Sequence, residues 1–145
     1  MFRRRSRPAP EVVRSDAEWR STLGPEAYRV LRRAGTEAPG TSAYEHPPSD
    51  RSGVYRCSGC HAELFRAADQ FDSGSGWPSF TAPAAGGAVD LHTDFALLVP
   101  RREARCTRCG GHLGHVFRDG PAPTGERWCI NGAALDLDGS DDSGG

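Results

Sequence analysis

The chain has 145 residues, 37% of them hydrophobic and 26% charged, with a formal net charge of -1. These values predict one soluble globular domain, and the near-neutral charge argues against a nucleic-acid binder held by bulk phosphate attraction. All 18 basic residues are arginine, so no lysine is available for Schiff-base or general-base chemistry. No apolar run approaches the roughly 18 residues of a membrane-spanning helix, so we expect no membrane partner.

The two ends of the chain are predicted to be disordered tails. Residues 1–14 begin with MFRRRSRPAP, which is basic and has no apolar stretch behind it. Because an export signal needs such a stretch, we expect a cytoplasmic location, although arginine-rich tails also occur in transit peptides. Residues 138–145 are acidic and glycine-rich, as solvated tails are. Residues 15–137 are therefore the predicted single folded domain.

Two short helices are predicted at the start of this domain. Ser15 and Glu18 have the spacing of a capping box, and Pro25 and Gly35 suit the start and the end of a second helix. Residues 36–51 are rich in Pro, Gly, Ser and Thr and predict an extended connection. After it, short β-like runs alternate with glycine-rich turns. These runs are Val54–Cys57, Leu64–Phe65, Val89–Leu91, Phe95–Val99 and Trp128–Ile130.

The strongest motif is a pair of CxxC sequences, CSGC and CTRC. Two such knuckles supply four thiolates, which predicts a closed tetrahedral zinc site with a structural role. Redox-active dithiols or two short disulfides are the alternatives. Zinc is favoured because the sequence shows no export signal and because neither motif opens a helix after a strand, as thioredoxin-like redox pairs do. Arg56, Arg105 and Arg108 are placed to offset the thiolate charge. The predicted ligands are Cys57, Cys60, Cys106 and Cys109.

Between the knuckles lies FDSGSGWPSF, residues 71–80. Gly74 and Gly76 allow backbone angles that other residues avoid, and Trp77 is held extended because Pro78 follows it. The indole is a candidate wall for an apolar ligand group, and ordinary core packing is the alternative.

Cys129 is the one cysteine outside the CxxC pairs, so it is the thiol left free to react. A strand beginning at Arg127 would place Arg127, Cys129 and Asn131 on one face. The guanidinium would then stabilise the nucleophilic thiolate. A buried, inert cysteine is the alternative, but two histidines and an aspartate lie upstream, and Cys with His is a recurrent nucleophilic pairing.

Together the CxxC pair, FDSGSGWPSF, HLGHVFRDGP, PTGERWCIN and LGPEAYRVLRRAGTE resemble the peptide-methionine (R)-S-oxide reductases, the MsrB type of methionine sulfoxide reductase. The resemblance runs from about Ser15 to Leu137. It implies a mainly β fold, a β-tent of two antiparallel sheets with short N-terminal helices and a structural zinc distant from the active site. It also implies an enzyme that reduces the R epimer of methionine sulfoxide, protein-bound or free.

The resemblance also implies a role for each matching side chain. The cysteine would attack the sulfoxide sulfur and become a sulfenic acid, while the histidines and the asparagine bind or polarise the sulfoxide oxygen. The aspartate would orient the histidines, the arginine would lie beside the nucleophile, and the tryptophan would contact the substrate S-methyl group. The predicted catalytic residues are Cys129, His112, His115, Asn131, Arg127 and Asp119, with Trp77 as the substrate-binding residue.

Several positions depart from the family pattern. Many members carry a recycling cysteine where this chain has Ser75, and no other cysteine is left over. An external thiol is therefore expected to regenerate Cys129: thioredoxin, glutaredoxin or a low-molecular-weight thiol. Trp128 stands where Tyr or Phe is usual, Gly40 where Phe is frequent, and Gly132 where Ser is common. Nothing in the sequence indicates an obligate dimer, so we expect a monomer.

Two other functions fit the same sequence. A zinc-stabilised binding module on this scaffold would need no nucleophile, so the retention of Cys129 with its polar neighbours argues against it. A thiol-disulfide oxidoreductase would use the CxxC pairs directly, and bound zinc would argue against that because metal-bound thiolates cannot shuttle electrons.

Overall fold

The computed structural model describes residues 10–95 and 99–138. Two short helices come first, α1 (Asp16–Thr22) and α2 (Pro25–Arg33). Within the described residues, nine strands follow: β1 (Val54–Cys57), β2 (Glu63–Arg66), β3 (Gln70–Phe71), β4 (Ser79–Phe80), β5 (Val89–Asp94), β6 (Arg101–Cys106), β7 (His112–Phe117), β8 (Arg127–Ile130) and β9 (Leu135–Asp138). Single 3₁₀ turns span Ala67–Asp69 and Gly132–Ala134.

The helix signals in the sequence act as predicted at the start of α1 and are offset by one residue at the end of α2. Ser15 Oγ accepts the Glu18 N–H at 3.1 Å, and the Ser15 N–H donates to Glu18 Oε1 at 2.8 Å, which confirms the capping box. The left-handed residue that ends α2 is Ala34, with φ 54°, and not Gly35. A side chain at Gly35 would be crowded, because its Cβ would lie 3.0 Å from the Arg29 backbone carbonyl oxygen.

The strands form two antiparallel sheets, one of three strands in the order β2-β1-β9 and one of six in the order β3-β4-β8-β7-β6-β5. The predicted fold class, mainly β with two antiparallel sheets and short N-terminal helices, is confirmed. In the larger sheet, β8 lies between β4 and β7 and is hydrogen-bonded on both sides. A strand in this interior position offers a rigid support for a reactive side chain.

An aromatic cluster joins the two sheets. Phe65 on β2 stacks on Phe80 on β4 with ring centroids 4.4 Å apart, and Tyr55 on β1 meets the Phe80 ring edge-on at 5.2 Å. These three residues are 0% exposed. Trp128 on β8 packs edge-on against Phe65 at 6.1 Å. One face of β8 is therefore committed to the core, which leaves its other face for the pocket described below.

The strand predictions were right in some places and wrong in others. Val54–Cys57 is confirmed as β1, and the predicted run from Trp128 begins one residue earlier, as β8. A strand over Phe95–Val99 is wrong at both ends: β5 ends at Asp94, Phe95 and Val99 are each 73% exposed and outside strands, and residues 96–98 lie outside the described part. The charged strand β6 was missed because alternation of apolar residues was the signal sought.

Most of the two predicted tails falls on residues 1–9 and 139–145, which lie outside the described residues. Residues 10–14 are described and contact the CxxC turns: the Val12 N–H donates to the Arg108 carbonyl at 3.0 Å, and Arg14 Nη1 donates to the Gly59 carbonyl at 3.3 Å. The domain boundaries remain predictions. Neither of the described helices has the length and apolar character needed to cross a bilayer.

Candidate active site

Strand β8 presents Cys129 to a pocket because its side chains alternate between two faces. Trp128 is 6% exposed and Ile130 is 0% exposed, and both face the core. Arg127 and Cys129 are partly exposed and line the opposite face, as predicted. Gly114 on the neighbouring strand β7 lets the two backbones approach, because a Cβ there would overlap the Cys129 carbonyl oxygen.

The pocket around Cys129 has a volume of about 240 Å³. Its lining combines two aromatic rings with charged and polar side chains, so an apolar group and a polar group of one ligand can be bound side by side. Cys129 is paired in register with His115 on β7 and with Ser79 on β4. The side chains used below are those of Ser75, Trp77, Arg101, His115, Phe117, Arg127, Cys129 and Asn131.

Arg127 acts on the Cys129 thiol in the predicted direction, but its stabilisation of the thiolate is outweighed by burial. Burial raises the pKa of Cys129, and this effect outweighs the charge of Arg127 and the hydrogen bonds from Ser75 and Arg127, all of which lower it. Asp119 adds to the increase because its negative charge disfavours a second one nearby. The resting side chain is therefore a thiol whose proton is available to the reaction, with a cation positioned to stabilise the thiolate as it forms.

Asp119 does not orient either histidine, which corrects the role implied by the resemblance. It follows β7 and faces Arg127, whose Nε donates to Oδ1 at 2.9 Å and whose Nη2 donates to Oδ2 at 3.2 Å. This pairing lowers the pKa of Asp119. The Arg127 guanidinium also lies 4.6 Å from the centroid of the Phe117 ring. A carboxylate and an aromatic ring thus fix the guanidinium in place beside the thiol.

The histidines are oriented by two carboxylates from β5 and β6 that the sequence analysis did not identify. His115 Nε2 donates to Asp94 Oδ2 at 2.8 Å, and Arg101 Nη2 donates to the same oxygen at 3.2 Å. His112 Nδ1 donates to Glu103 Oε2 at 2.6 Å. Burial lowers the pKa of His115 in spite of the Asp94 hydrogen bond, which opposes the shift, so this imidazole is neutral near pH 7.

The two histidines differ in their access to the pocket. His115 lines it, whereas His112 lies behind with its side chain 6% exposed and its ring centroid 5.5 Å from that of His115. The buried Nε2 of His112 has no hydrogen-bond partner within the described structure. A buried ring nitrogen in this state calls for a water or a ligand atom. Glu103 holds the other nitrogen, and hydrogen bonds from Arg105 and His112 outweigh burial and lower the pKa of Glu103.

Asn131 is buried, and most of its amide is already engaged. Its Oδ1 accepts the Glu37 N–H at 2.9 Å, and its Nδ2 donates to the Leu113 carbonyl at 2.9 Å. One amide hydrogen is left without a partner among the described residues. Asn131 can therefore offer a single donor to a ligand, while its other bonds connect the end of β8 to β7 and to the segment after α2.

Trp77 is held at the pocket by the glycine loop. Gly74 and Gly76 have φ values of 78° and 94°, the left-handed region that favours glycine. The Trp77 indole N–H donates to the Glu37 carbonyl at 3.0 Å, which fixes the ring plane. Ser75 also faces the pocket, and its Oγ lies 2.8 Å from Ser73 Oγ. A serine hydroxyl thus stands beside the thiol at the position where many family members carry a recycling cysteine.

A cluster of four cysteines lies outside this pocket, and its members are the predicted zinc ligands. The four Sγ atoms of Cys57, Cys60, Cys106 and Cys109 are buried and lie within 4.8 Å of one another. The pairs that cross between the knuckles are 3.7 Å apart for Cys57 and Cys109 and 3.5 Å apart for Cys60 and Cys106. Zinc with four thiolates at about 2.3 Å requires sulfur separations near 3.8 Å, so this donor set fits the ion.

The two knuckles are built on the same backbone pattern. In each, the N–H of the residue after the second cysteine returns to the first cysteine carbonyl: His61 to Cys57 at 2.8 Å and Gly110 to Cys106 at 2.7 Å. Both returning residues are left-handed, with φ 69° for His61 and 77° for Gly110. The shared turn brings each thiol pair to one side, so the second pair can complete a tetrahedral set.

The arginines near the knuckles agree only in part with those predicted. Arg108 donates to the Cys60 carbonyl at 3.4 Å, and Arg56 Nη1 donates at 3.2 Å to the carbonyl of His61, which closes the first knuckle. Arg105 instead pairs with Glu103 on its own strand. Arg32 from α2 donates to the Cys109 carbonyl at 3.0 Å, and Arg14 reaches the first knuckle. These two contacts depend on tertiary packing, which sequence distance does not reveal.

The chain is similar in sequence to a family of known proteins. A model of the SelR domain matches residues 23–139. Similar proteins, each named peptide methionine sulfoxide reductase MsrB, occur in several microorganisms. The one from Agrobacterium fabrum is 50% identical over 127 residues, which cover 88% of this chain and 93% of the relative. The one from Leifsonia xyli is 50% identical over 133 residues (91% and 94%), and the one from Methanosarcina mazei is 43% identical over 134 residues (92% and 94%).

The chain therefore belongs to the MsrB family, and the prediction of an oxidoreductase of this family is confirmed. The SelR match begins just after α1 and covers α2, both sheets and both knuckles, since it runs from residue 23 to residue 139.

Proposed function

We propose that the protein reduces the R epimer of methionine sulfoxide, protein-bound or free, to methionine. The observation that carries the proposal is the position of Cys129, the one cysteine outside the metal cluster, at a pocket between an indole and an imidazole. The names of the relatives point to the same substrate. Residues 15–137 are proposed to form the catalytic domain of a monomer, and a cytoplasmic location remains a prediction.

The proposed reaction begins with attack by the Cys129 sulfur on the sulfoxide sulfur. The sulfur–oxygen bond of the substrate breaks, and the oxygen ends on Sγ as a sulfenic acid. Two electrons pass from the thiol sulfur to the sulfoxide sulfur. The thiol loses one proton, and the transferred oxygen gains one when it becomes the sulfenic hydroxyl. A thiol with a raised pKa suits this balance, because proton transfer and attack can be coupled while Arg127 stabilises the developing thiolate.

The two histidines are proposed to deliver the proton that the departing sulfoxide oxygen needs. Asp94 fixes the proton of His115 on Nε2, so Nδ1 is the nitrogen left to exchange with the oxygen or with a bridging water. Behind it, the buried Nε2 of His112 has no hydrogen-bond partner among the described residues and is the second nitrogen proposed to exchange a proton through a water. The free amide hydrogen of Asn131 is a third donor for the developing negative charge.

Epimer selection is proposed to follow from the two unlike walls of the pocket. Trp77 and Phe117 offer apolar surface for the S-methyl group, and His115 and Asn131 offer polar groups to the oxygen. With methyl and oxygen placed on opposite sides, only one configuration at sulfur directs its reactive side at Cys129. The other epimer would place its oxygen against an aromatic ring, where no donor satisfies it.

The assay that tests this function supplies both epimers of methionine sulfoxide separately, with dithiothreitol as reductant. Turnover of the R epimer alone is the expected result, because dithiothreitol replaces whichever natural reductant is used. Equal turnover of both epimers would contradict the role of the walls. Absence of turnover with a zinc-loaded, folded sample would contradict the proposed activity.

Regeneration is proposed to use an external thiol, since Ser75 occupies the recycling position. A first thiol would attack the sulfenic acid to form a mixed disulfide and water, and a second would release Cys129. Thioredoxin, glutaredoxin or a small thiol can supply these electrons. Mass spectrometry after a single turnover without reductant, with a sulfenic-acid trap present, should show a trapped Cys129. An internal disulfide of Cys129 would instead indicate that a knuckle cysteine acts as resolver.

Zinc is proposed as the ion in the four-cysteine cluster. The residues that would hold it are all supplied by the two knuckles, which leaves no open coordination position for a substrate. Because Cys57 ends β1 and Cys106 ends β6, an ion bound there would join the two sheets. Its chemistry is that of a structural clamp, and no step of the reaction passes through it.

A further inference from the structure

Glu37 is a buried acid that lies between the helices and the pocket. It is 4% exposed and follows Thr36, a residue of the pocket lining, in the connection from α2 to β1. None of the roles described so far uses its carboxylate. A buried carboxylate is costly unless its oxygens are hydrogen-bonded, so its contacts identify what it supports.

The carboxylate binds the backbone just beyond β8. Oε2 accepts the Gly132 N–H at 2.7 Å, and Oε1 accepts the Ala133 N–H at 3.0 Å. These are the first two residues of the 3₁₀ turn that follows Asn131. Burial raises the pKa of Glu37 more than the two N–H groups lower it. The carboxylate thus takes both free donors at the start of this turn and fixes how the chain leaves the strand of Cys129.

The backbone of the same residue binds the two walls of the pocket. Its N–H donates to Asn131 Oδ1 at 2.9 Å, and its carbonyl accepts the Trp77 indole N–H at 3.0 Å. The polar wall and the apolar wall are therefore attached to the backbone of one residue. Moving that residue would move both walls relative to the thiol.

The packing leaves little room for Glu37 to shift without effect. A Cβ on Gly132 would overlap Ser42 Oγ and lie 3.4 Å from Glu37 Oε2. The carboxylate, the 3₁₀ turn and the Ser42 segment are thus in close contact, and displacement of one is transmitted to the others.

We propose that Glu37 is a positioning residue that sets the distance between the Trp77 wall and strand β8, and so determines how well the sulfoxide fits. This inference rests on the proposed function. It predicts a loss of substrate fit with an unchanged thiol, because none of the hydrogen bonds of Glu37 reaches Cys129.

The test compares Glu37→Gln and Glu37→Ala with Glu26→Gln, an exposed acid of α2 that pairs with Arg29. For folded, zinc-loaded protein we expect kcat/KM for the R epimer to fall by roughly 10- to 100-fold in the Glu37 variants, the scale of a misplacement near 1 Å. The rate of Cys129 alkylation by iodoacetamide should change by less than about threefold, since a small reagent does not need the two walls. Glu26→Gln should match the wild type in both.

Glu37→Gln keeps the side-chain volume and one acceptor oxygen, so it supplies the test if the alanine variant does not fold. A double variant with Trp77→Phe, which removes the indole N–H, adds a readout that general destabilisation would not move. The Glu37 variants disrupt the bonds from the carboxylate to Gly132 and Ala133, and Trp77→Phe removes the bond from the indole to the Glu37 carbonyl. Because these two links lie in series between Trp77 and the end of β8, their combined loss in kcat/KM should be smaller than the product of the separate losses.

Unchanged kcat/KM in folded Glu37→Gln would overturn the inference. Parallel loss of alkylation, zinc and thermal stability would also overturn it, because Glu37 would then hold the fold as a whole. A wild-type protein inactive on both epimers would instead contradict the proposed function and leave the alkylation and zinc comparisons to decide the structural role of Glu37.

Discussion

The two regions of the molecule that carry cysteine use the same side chain in opposite ways. At the knuckles, four thiols from distant turns are buried together, within 4.8 Å of one another. At the pocket, Cys129 stands alone on an interior strand, half-buried, in a lining that also holds the Arg127 guanidinium and the His115 imidazole. The difference teaches that what a thiol can do here follows from its neighbours. Four thiols together fit a metal ion, and a cation with an imidazole beside the lone thiol suits the nucleophile proposed above.

The largest effect is expected from the clamp. Changing Cys106→Ser removes one of four ligands, and metal binding supplies on the order of 10 kcal/mol of folding free energy in small zinc domains. Domains of this size are stable by about 5–15 kcal/mol. We therefore expect the variant to lose zinc and its cooperative thermal transition, as measured by elemental analysis and circular dichroism. Prolonged treatment of the wild type with a strong chelator should have the same effect.

The same substitution in the other region should do the reverse. Cys129→Ser is expected to keep zinc and to change the free energy of unfolding by less than about 1 kcal/mol, because its side chain faces the pocket and belongs to neither the core nor the metal cluster. Turnover of the R sulfoxide should fall by about 10⁴-fold or more, the scale seen when a nucleophile is removed. A Cys129→Ser protein that retains substantial turnover would show that the two regions are not divided in this way.

A smaller effect is expected from adding a sixth thiol to the pocket, which tests whether a neighbouring sulfur would change the fate of oxidised Cys129. Ser75→Cys would place a second sulfur in the lining of the pocket that holds Cys129. After one turnover without reductant, a disulfide between the two positions should replace the trapped sulfenic acid, as peptide mass mapping would show. Ser73→Cys, one step further along the hydroxyl chain, is the matched control. Persistence of the sulfenic acid in Ser75→Cys would mean that the loop cannot bring its sulfur close enough.

The smallest effect concerns the electrostatics of Cys129 alone. Its pKa is raised by burial, so the rate of alkylation should increase as the pH rises through a midpoint above that of an exposed cysteine. Arg127→Gln removes the charge that lowers this pKa, so the midpoint should move to higher pH. Asp119→Asn removes a charge that raises it, so the midpoint should move to lower pH. Shifts of the same sign in both variants would contradict this account.

Part of the site could be read from the sequence because it depends on local patterns. The CxxC spacing predicted the four ligands, and strand alternation predicted that Arg127 and Cys129 share a face. The predictions that failed concern features that depend on tertiary structure. Asp119 binds Arg127 because the turn after β7 brings it there, and the raised pKa of Cys129 follows from burial, which no local motif encodes.

The missed residues have a common cause. Asp94 and Glu103 lie 21 and 9 residues before the histidines that they orient. Asp94 ends β5, beyond the predicted run Val89–Leu91, and Glu103 lies on β6, the charged strand that was missed. A usable signal was present: a buried histidine requires a partner, and acids on the neighbouring strand are the first candidates. Glu37 ends the motif LGPEAYRVLRRAGTE, but no local pattern indicated its role, since its contacts with residues 131–133 span 94 to 96 residues.

The contact between residues 10–14 and the knuckles has a practical consequence for handling the protein. Val12 is hydrogen-bonded to Arg108, and Arg14 reaches Gly59 while its guanidinium lies 4.8 Å from the Trp19 ring centroid. An affinity tag or a fusion partner is therefore best joined ahead of residue 10. Trimming the chain to Ser15 would remove the hydrogen bonds that Val12 and Arg14 make to the two knuckles.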